Sequence, residues 1–338
     1  MTPNTRRVIS MALGALYRNV EQMGDPLGFK KDYWTDWAQG LGLPARGAEC
    51  IYTGRMYQML PYAMQVSKLA GRYQSWLACP GMAKLMELGN RAAGEKAIRR
   101  MAASAQGIKE RARRSLRGVW AGLKMAGRDP AYLYEAEPYS GVLLHDLGAD
   151  AGARRQAARL AGLFKSRGLT GVIAVDPHTV HFLRDVFPGQ MEGAGVEVRH
   201  YLEILAPARE RLAPHAKLPM QEVVVHDSCV MARHLGLIDQ TRQAAAALGL
   251  TVKEPPNSGR DTACCGGPIE YAFEEMSAQV SLLRARELAE VSTQVMVTCP
   301  ICLINLARHE SELGIRVWDL GELLDLAFPC EQIAASSE

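Results

Sequence analysis

The segment GIRVWDLGELL (residues 314–324) aligns without a gap with GVEVRHYLEIL (residues 195–205), and the two share Gly, Val, Glu and Leu. Three further pairs align in the same order along the chain: GVIAVDPHT (171–179) with QVMVTCPIC (294–302), EPYSGVLL (137–144) with TACCGGPI (262–269), and CIYTGRMYQ (50–58) with VVHDSCVMA (224–232). Internal similarity in a fixed order indicates a duplicated structural unit. The sequence therefore predicts two tandem domains with the same fold.

Each copy alternates short apolar runs with helical stretches. In the second copy, the strand-like runs at 222–229 and 294–302 are separated by a long helical stretch at 271–291. Strands that alternate with helices of this length pair in parallel and form a layered sheet. We expect an α/β fold with two pseudo-symmetric domains, each a small, mostly parallel sheet layered with helices.

The repeat divides the chain into three parts: an N-terminal helical extension or linker (1–48), a first domain (49–206) and a second domain (207–338). A helical insertion of about fifty residues, near 82–132, interrupts the first domain. From Glu95 to Arg128 it carries ten Lys or Arg against two Glu. Its basic surface fits either a solvated helix face or a docking surface for an acidic electron-transfer partner or an anionic substrate.

The composition excludes several function classes. The net charge of +3 gives no indication of nucleic-acid binding, and no apolar run is long enough to span a membrane. Arg6 and Arg7 precede a short apolar run, but without a small-residue cleavage site we expect an amphipathic surface helix there rather than an export signal. Five of the eight cysteines fall between residues 229 and 302. This clustering indicates metal or redox chemistry in the reducing cytoplasm.

Cys229, Cys264, Cys265, Cys299 and Cys302 lie in three loops of the second copy, at or near the ends of predicted strands. Ligands of parallel sheets gather at the carboxyl ends of the strands, so we expect these thiols at one edge. Thiolates repel one another and converge only around a cation. Structural zinc takes four ligands, so five cysteines favour an iron–sulfur centre. A structural zinc site and reduced core cysteines are the alternatives.

Other residues near these cysteines have expected supporting roles. Gly266 and Gly267 are predicted to let the backbone pass close to the centre. Four polar residues are candidates for tuning the centre or delivering protons, with ordinary loop capping as the alternative: His226, Asp227, Arg233 and Glu270.

The first copy lacks every one of these cysteines. The aligned residues are Arg55 for Cys229, Tyr139 and Ser140 for Cys264 and Cys265, and Asp176 and Thr179 for Cys299 and Cys302. We therefore expect one centre per chain, held by the second domain. His178 in the first copy is expected to hydrogen-bond locally. The three remaining cysteines are expected to be packing residues: Cys50, Cys79 and Cys330.

The pattern of Cys229, then Cys264-Cys265-Gly266, then Cys299-Pro300-Ile301-Cys302 resembles the cysteine-rich CCG domain of the heterodisulfide reductase B subunit family. Members usually carry two such domains in tandem, so the resemblance covers most of the chain from about residue 48. It implies that the five cysteines bind one non-cubane [4Fe-4S] cluster at which a disulfide is cleaved. The first copy departs from the family pattern because it has no motif cysteine.

The resemblance also implies a function and partners. It implies an oxidoreductase subunit that acts on a small thiol or disulfide. The implied electron partner is a ferredoxin-like subunit of the heterodisulfide reductase C type, and a flavoprotein subunit is a further candidate partner. Residues 19–44 resemble the linker that follows a ferredoxin module in fused relatives. Two alternatives stay open: an electron-relay subunit of a glycolate oxidase-like or quinone-linked dehydrogenase, and a zinc-stabilised assembly scaffold.

Overall fold

The computed structural model describes residues 14, 16–29, 31–62, 106–270 and 273–335. It contains two four-stranded parallel sheets. The first consists of β1 (Glu49–Tyr52), β2 (Ala131–Tyr132), β3 (Gly171–Ala174) and β4 (Glu197–His200). The second consists of β5 (Glu222–Val225), β6 (Thr251–Lys253), β7 (Gln294–Val297) and β8 (Arg316–Asp319). The predicted α/β class with two pseudo-symmetric sheets is confirmed.

In the described residues, twelve α-helices surround the sheets: α1 (Gln106–Met125), α2 (Val142–Asp146), α3 (Asp150–Ser166), α4 (Pro177–His181), α5 (Pro188–Ala194), α6 (Leu202–Leu205), α7 (Ile238–Ala247), α8 (Glu274–Ala289), α9 (Pro300–Ala307), α10 (Glu310–Leu313), α11 (Leu320–Ala327) and α12 (Cys330–Ala335). Residues 16–23 and 56–62 are also helical. Two π-helical turns, Phe182–Val186 and Val230–Leu235, follow α4 and β5.

The two sheets have the same strand order and the same register. The orders are β2-β1-β3-β4 and β6-β5-β7-β8. Cys50 of β1 lies opposite Val172, and Val224 of β5 lies opposite Val295. The sequence alignment pairs the same positions, because it matches residue 50 with 224 and residue 172 with 295. Gly141 and Gly266, which also align, both adopt a left-handed conformation.

Equivalent helices in the two halves begin with a proline in the first turn. Asp176 caps α4 and Cys299 occupies the corresponding position before α9, each followed by a proline in the first turn. Proline fits this position because the first helical N–H has no partner within the helix. The carboxylate of Asp319 accepts a hydrogen bond from the N–H of Gly321 at 2.8 Å and caps α11 together with Glu322.

Alternate residues of each strand enter different cores, as the pleat requires. Ile51 and Val223 contribute to one apolar cluster that lies between the two halves. Cys50 belongs to a second cluster on the outer face of the first sheet, and Val224 to a third on the outer face of the second. The Tyr57 hydroxyl also donates to Asp319 across the halves at 2.8 Å. The halves therefore fold around a common core.

Helix α1 lies in the predicted insertion and joins the halves by packing against α11. Its apolar face, which includes Leu116, Val119 and Leu123, is fully buried. The basic side chains of α1 bind acidic side chains or carbonyl groups of the same chain. The pairs are Lys109 with Asp36, Arg111 with Glu310 and Glu322, Arg113 with Glu110, Arg114 with Asp325, Arg117 with the Trp37 and Gln39 carbonyls, and Lys124 with Asp129. Because these charges are already paired within the chain, α1 fits a solvated helix face better than a docking surface.

Some predictions from the sequence concern residues that the structure does not describe. The first part of the insertion and Cys79 fall within 63–105, which the structure does not describe. Cys50 and Cys330 are buried, as expected of packing cysteines. Within the described ranges, no helix has the length and apolar character needed to cross a bilayer.

The crossing of α1 and α11 depends on two glycines. A Cβ atom at Gly118 would lie 1.8 Å from the Gly321 carbonyl oxygen, and one at Gly321 would lie 2.3 Å from the Ser115 carbonyl oxygen. Both clashes involve backbone, which cannot move aside as a flexible side chain does. The helices must separate to accept any side chain at either position.

We expect Gly118→Ala to lower the free energy of unfolding by about 3 kcal/mol, because overpacking outweighs the gain in helix propensity. Gly162→Ala is the matched control, since Gly162 lies in α3 and an added Cβ would meet nothing within 4 Å. That variant should be stabilised by about 1 kcal/mol. Thermal denaturation of both variants tests this. Equal stability of the two would contradict the close crossing.

Candidate metal centre

The carboxyl ends of two neighbouring strands bring the cysteines of the second half together. Cys229 follows β5 and precedes the π-helical turn Val230–Leu235. Cys299 follows β7 and Cys302 lies in the first turn of α9. Since β5 and β7 are parallel and adjacent, their carboxyl ends open at the same edge. The loop between β6 and α8 carries Cys264 and Cys265 to that edge.

The five side chains form one continuous run of contacts. Side-chain interactions that shift the thiol pKa values link Cys229 to Cys264, Cys264 to Cys265, Cys265 to Cys302 and Cys302 to Cys299. The seven cysteines within the described ranges are all free thiols. The structure thus brings together all five cysteines that the sequence singled out.

These contacts separate the thiols into two groups. The hydrogen bond with Cys229 lowers the pKa of Cys264 below its ordinary value. Burial opposes ionisation of Cys299, but hydrogen bonds with Cys302 and His178 bring its pKa well below the ordinary value. Three pKa values are raised, in each case first by a hydrogen bond to a neighbouring cysteine: those of Cys229, Cys265 and Cys302.

The site is closed on one side and partly open on the other. Cys299 is fully buried, and Cys265 and Cys302 are each 3% exposed. Cys229 and Cys264 are only half-buried. In addition, the N–H of Gly266 donates to the sulfur of Cys264 at 3.3 Å. A soft donor set of five sulfurs with a backbone N–H aimed at one of them fits an iron–sulfur group.

The cysteine-rich domain family described as CCG matches residues 223–307 of this chain. That range contains all five cysteines. This segment is a CCG domain.

A search of characterised proteins finds similarity to a protein described as an EtfAB:quinone oxidoreductase, from Syntrophomonas wolfei subsp. wolfei (strain DSM 2245B / Goettingen). The two are 31% identical over 218 residues, which is 60% of this chain and 30% of that protein. The chain thus spans less than a third of the relative's length. The CCG domain and this relative support an iron–sulfur, redox-active role.

His226 faces the sulfurs of the CCG domain. One of its ring nitrogens and the sulfurs of Cys265 and Cys302 lie within 4.8 Å of one another. Its Nδ1 accepts a hydrogen bond from Nε of Arg284 at 3.1 Å, and its buried Nε2 has no hydrogen-bond partner among the described residues. Burial and then Arg284 lower the pKa of His226 to about 3. The neutral ring therefore carries its proton on Nε2, where it is a donor rather than a ligand.

Sequence reasoning missed Arg284, although it named His226. Arg284 lies on α8, is 2% exposed and also binds Glu287 at 2.7 Å and the Asn257 carbonyl at 2.9 Å. In the sequence it is one of several charged residues on a long helix. Only its burial, which depends on the neighbouring loops, separates it from them.

Asp227 and Arg233 organise the loop that precedes Cys264 in the CCG domain. Asp227 forms an ion pair with Arg242 and accepts the N–H of Gly259 at 2.7 Å. Arg233 donates to the carbonyl groups of Arg260 and Thr262, the latter at 2.5 Å. Both side chains are thus used in loop bonding, which was the alternative to tuning or proton delivery.

Glu270 is likewise held in a structural contact. It accepts from Arg308 at 3.1 Å and from Asn305 at 3.5 Å, and both of those residues lie on or next to α9. These bonds fix the chain just after the two glycines against the helix that carries Cys302.

The two glycines make room for helices. A Cβ at Gly266, whose φ is +79°, would lie 2.6 Å from the Ser277 carbonyl oxygen of α8. A Cβ at Gly267 would lie 2.1 Å from Cγ2 of Ile301 and 3.4 Å from the Cys265 sulfur. The backbone at both glycines does lie close to neighbouring atoms. The nearest of these atoms, however, belong to α8 and α9 rather than to the cysteine side chains.

In the first half, a buried ion pair occupies the position equivalent to the CCG site. Arg55, which aligns with Cys229, adopts a φ of +63° and binds Asp25 at 2.7 Å. The same guanidinium donates to the Glu137 carbonyl oxygen. Asp25 also accepts from Nε1 of Trp34 at 2.6 Å, and both members of the ion pair are almost fully buried. Sequence reasoning missed Asp25 because it lies outside the repeated unit.

The Glu137 carboxyl group lies beside this ion pair. Its Oε1 accepts the Thr53 N–H at 2.6 Å, and its Oε2 accepts the hydroxyl groups of Thr53 and Tyr132 at 2.7 and 3.2 Å. Burial raises its pKa to about 7, although the hydrogen bonds from Thr53 act in the opposite direction. The folded protein therefore holds on to a proton here that the unfolded chain releases near pH 4.5.

His178 contacts Asp146 of its own half, with 3.6 Å between Nδ1 and Oδ2. Burial favours the neutral ring, but hydrogen bonds with Asp146 and Cys299 outweigh it and raise the pKa of His178 well above its ordinary value.

We expect stability to fall between about pH 4.5 and 7 because the raised pKa of Glu137 makes folding take up a proton. Below that window the contribution is fully present, and above it up to about 3 kcal/mol is lost. Glu137→Gln removes the titrating group. The amide nitrogen of the new glutamine can take the place of Oε2, because the two hydroxyl groups that bond to Oε2 can also accept hydrogen bonds. Denaturation from pH 4.5 to 8 should show a weaker pH dependence in the variant; identical profiles would contradict this.

Proposed function

We propose that this chain is a cytoplasmic iron–sulfur subunit of a redox complex and that it binds one non-cubane [4Fe-4S] cluster through Cys229, Cys264, Cys265, Cys299 and Cys302. The continuous run of contacts among these five sulfurs carries the proposal. When bound, such a cluster accepts and passes on single electrons. Five thiolates exceed the four ligands of a structural zinc site, which makes the zinc scaffold the weaker alternative.

The neighbouring groups have complementary roles in this proposal. The Gly266 N–H stabilises negative charge on the Cys264 sulfur. His226 has one ring nitrogen within 4.8 Å of the Cys265 and Cys302 sulfurs, and Arg284 fixes its proton on Nε2, so the ring is a second candidate donor. Hydrogen bonds to sulfur are one of the means by which proteins adjust cluster potentials.

Electron relay is the function that the arrangement supports best. The first half holds an ion pair of Arg55 and Asp25 in place of ligands, so a substrate cannot be bound between two clusters. The name of the relative from Syntrophomonas refers to EtfAB and to quinone. By analogy, this chain relays electrons in a quinone-linked complex, with a ferredoxin-like subunit and a flavoprotein as partners.

One observation favours thiol or disulfide chemistry as a second candidate. Cys229 and Cys264 are half-buried, whereas the other three cysteines are buried. A small disulfide could therefore reach the cluster at this edge. In that case the chain would be a disulfide reductase-like oxidoreductase subunit, as its resemblance to heterodisulfide reductase B implies.

We expect the anaerobically purified protein to be brown and to contain about four iron atoms per chain, as a [4Fe-4S] cluster requires. Replacing any one of the five cysteines by serine should reduce the iron content by at least half. Cys330→Ser is the control, because Cys330 is similarly buried but its thiol bonds to the Arg117 carbonyl of α1 and to Asp325 of α11. Iron and sulfide assays with electron paramagnetic resonance provide the measurement. Colourless protein with one zinc would disprove the cluster.

The same samples separate the two candidate functions. Adding small thiols or disulfides should leave the resonance spectrum unchanged if the cluster only relays electrons. A new signal that depends on the added sulfur compound would favour the disulfide reductase instead.

A further inference from the structure

The outer face of α8 carries an apolar stripe, formed by Phe273, Met276 and Leu283. Phe273 precedes the first residue of the helix, and the other two lie within it. The three side chains are 40%, 54% and 67% exposed. Their spacing of three and seven residues places them on one face of a helix. A single exposed apolar residue is ordinary, but a contiguous group of them marks an interaction site.

The apolar stripe borders the loop that carries Cys264 and Cys265. Val280 lies on the same face of α8, and a Cβ at Gly266 would lie 3.2 Å from the Val280 Cβ. The Ser277 hydroxyl donates to the Gly266 carbonyl oxygen at 2.9 Å, and the Gly266 N–H donates to the Cys264 sulfur at 3.3 Å. Two hydrogen bonds thus connect α8 with one of the half-buried cysteines. A protein bound to the stripe would lie beside the more open edge of the site.

Acidic side chains lie at the start of the apolar stripe. Glu274 and Glu275 occupy the first turn of α8. Neither forms an ion pair with the part of the chain that the structure describes, whereas Glu287 further along the helix pairs with Arg284 at 2.7 Å. Unpaired charges beside an apolar surface steer a partner of opposite charge. The stripe therefore fits a protein surface that combines apolar and basic side chains.

The size of the apolar stripe indicates a transient partner rather than a second copy of this chain. A stable dimer buries about 800 Å² on each partner, and three partly exposed side chains supply only part of that area. Electron-transfer complexes have smaller interfaces, below about 1,200 Å² in total. A second copy would also present the same unpaired acids instead of complementary basic residues.

We propose that Phe273, Met276 and Leu283, with Glu274 and Glu275 beside them, form the docking surface for a redox protein that presents apolar and basic side chains. The inference rests on the iron–sulfur function proposed above. A partner bound there would exchange electrons with the cluster through the edge at Cys264. The outer face of α8 would then determine which redox protein this chain accepts.

Photo-cross-linking tests where the partner binds. The purified, cluster-containing chain, with benzoylphenylalanine in place of Met276, is irradiated in an extract of its native source. It should become joined to a polypeptide that contains iron–sulfur or flavin groups, identified by mass spectrometry. The same reagent in place of Met23 is the control, because Met23 is 47% exposed but lies far from α8 in the sequence. Cross-linking only to a second copy, equal cross-linking at both positions, or none at position 276 overturns the inference.

Binding measurements with that purified redox partner test the contributions of the side chains. The double variant Met276→Gln and Leu283→Gln should bind about tenfold more weakly, because apolar residues at the centre of an interface carry most of its affinity. The double variant Glu274→Gln and Glu275→Gln should associate more slowly and with a weaker dependence on salt. Met23→Gln should bind like the unmodified chain.

Iron content separates a failure of the docking surface from a failure of the proposed function. All of these substitutions are at exposed or half-buried positions of α8 and the N-terminal extension, so each variant should keep its iron. Equal binding by the unmodified chain and both double variants, with iron bound in all three, overturns the docking surface alone. An unmodified chain without iron overturns the cluster, and the redox partner with it.

Discussion

Five sulfur atoms packed in one largely buried space cannot all be negatively charged unless a cation neutralises them. The pKa values along the run from Cys229 to Cys299 diverge accordingly: those of Cys264 and Cys299 are lowered, and those of the other three cysteines are raised. The surrounding structure is organised around that arrangement. Adjacent parallel strands open at one edge, loop glycines allow close packing with α8 and α9, and buried Arg284 fixes the proton of His226. Together these features place the cysteines and the hydrogen-bonding groups around them at one site.

The first half shows what happens to such a site when its ligands are lost. Its equivalent space contains a guanidinium and a carboxylate from the same chain, Arg55 and Asp25, which neutralise each other without a metal. A buried ion pair of this kind is better tolerated when further hydrogen bonds reach its members, and Trp34 and the Glu137 carbonyl supply one such bond each. The left-handed backbone of Arg55 is accepted where the aligned Cys229 has an ordinary helical conformation.

The sequence was sufficient to predict the repeat, its register and the convergence of the five cysteines, since these follow from local patterns that recur at fixed offsets. It was not sufficient for Asp25, Arg284 or His178. Asp25 precedes the repeated unit and Arg284 resembles a surface residue of α8, whereas the contact of His178 with Asp146 joins two separate segments of the first half. Pattern alignment compares the copies with each other, whereas these contacts depend on how the folded copies pack together.

That packing also bears on the path of electrons. The first half covers one side of the site through α4, which packs against the turn that follows Cys229, and the halves are joined further by the glycine crossing of α1 and α11. Cys229 and Cys264 are left at the more open edge. On the proposed assignment, a redox partner would have to approach that edge, because the opposite side is filled by the chain itself.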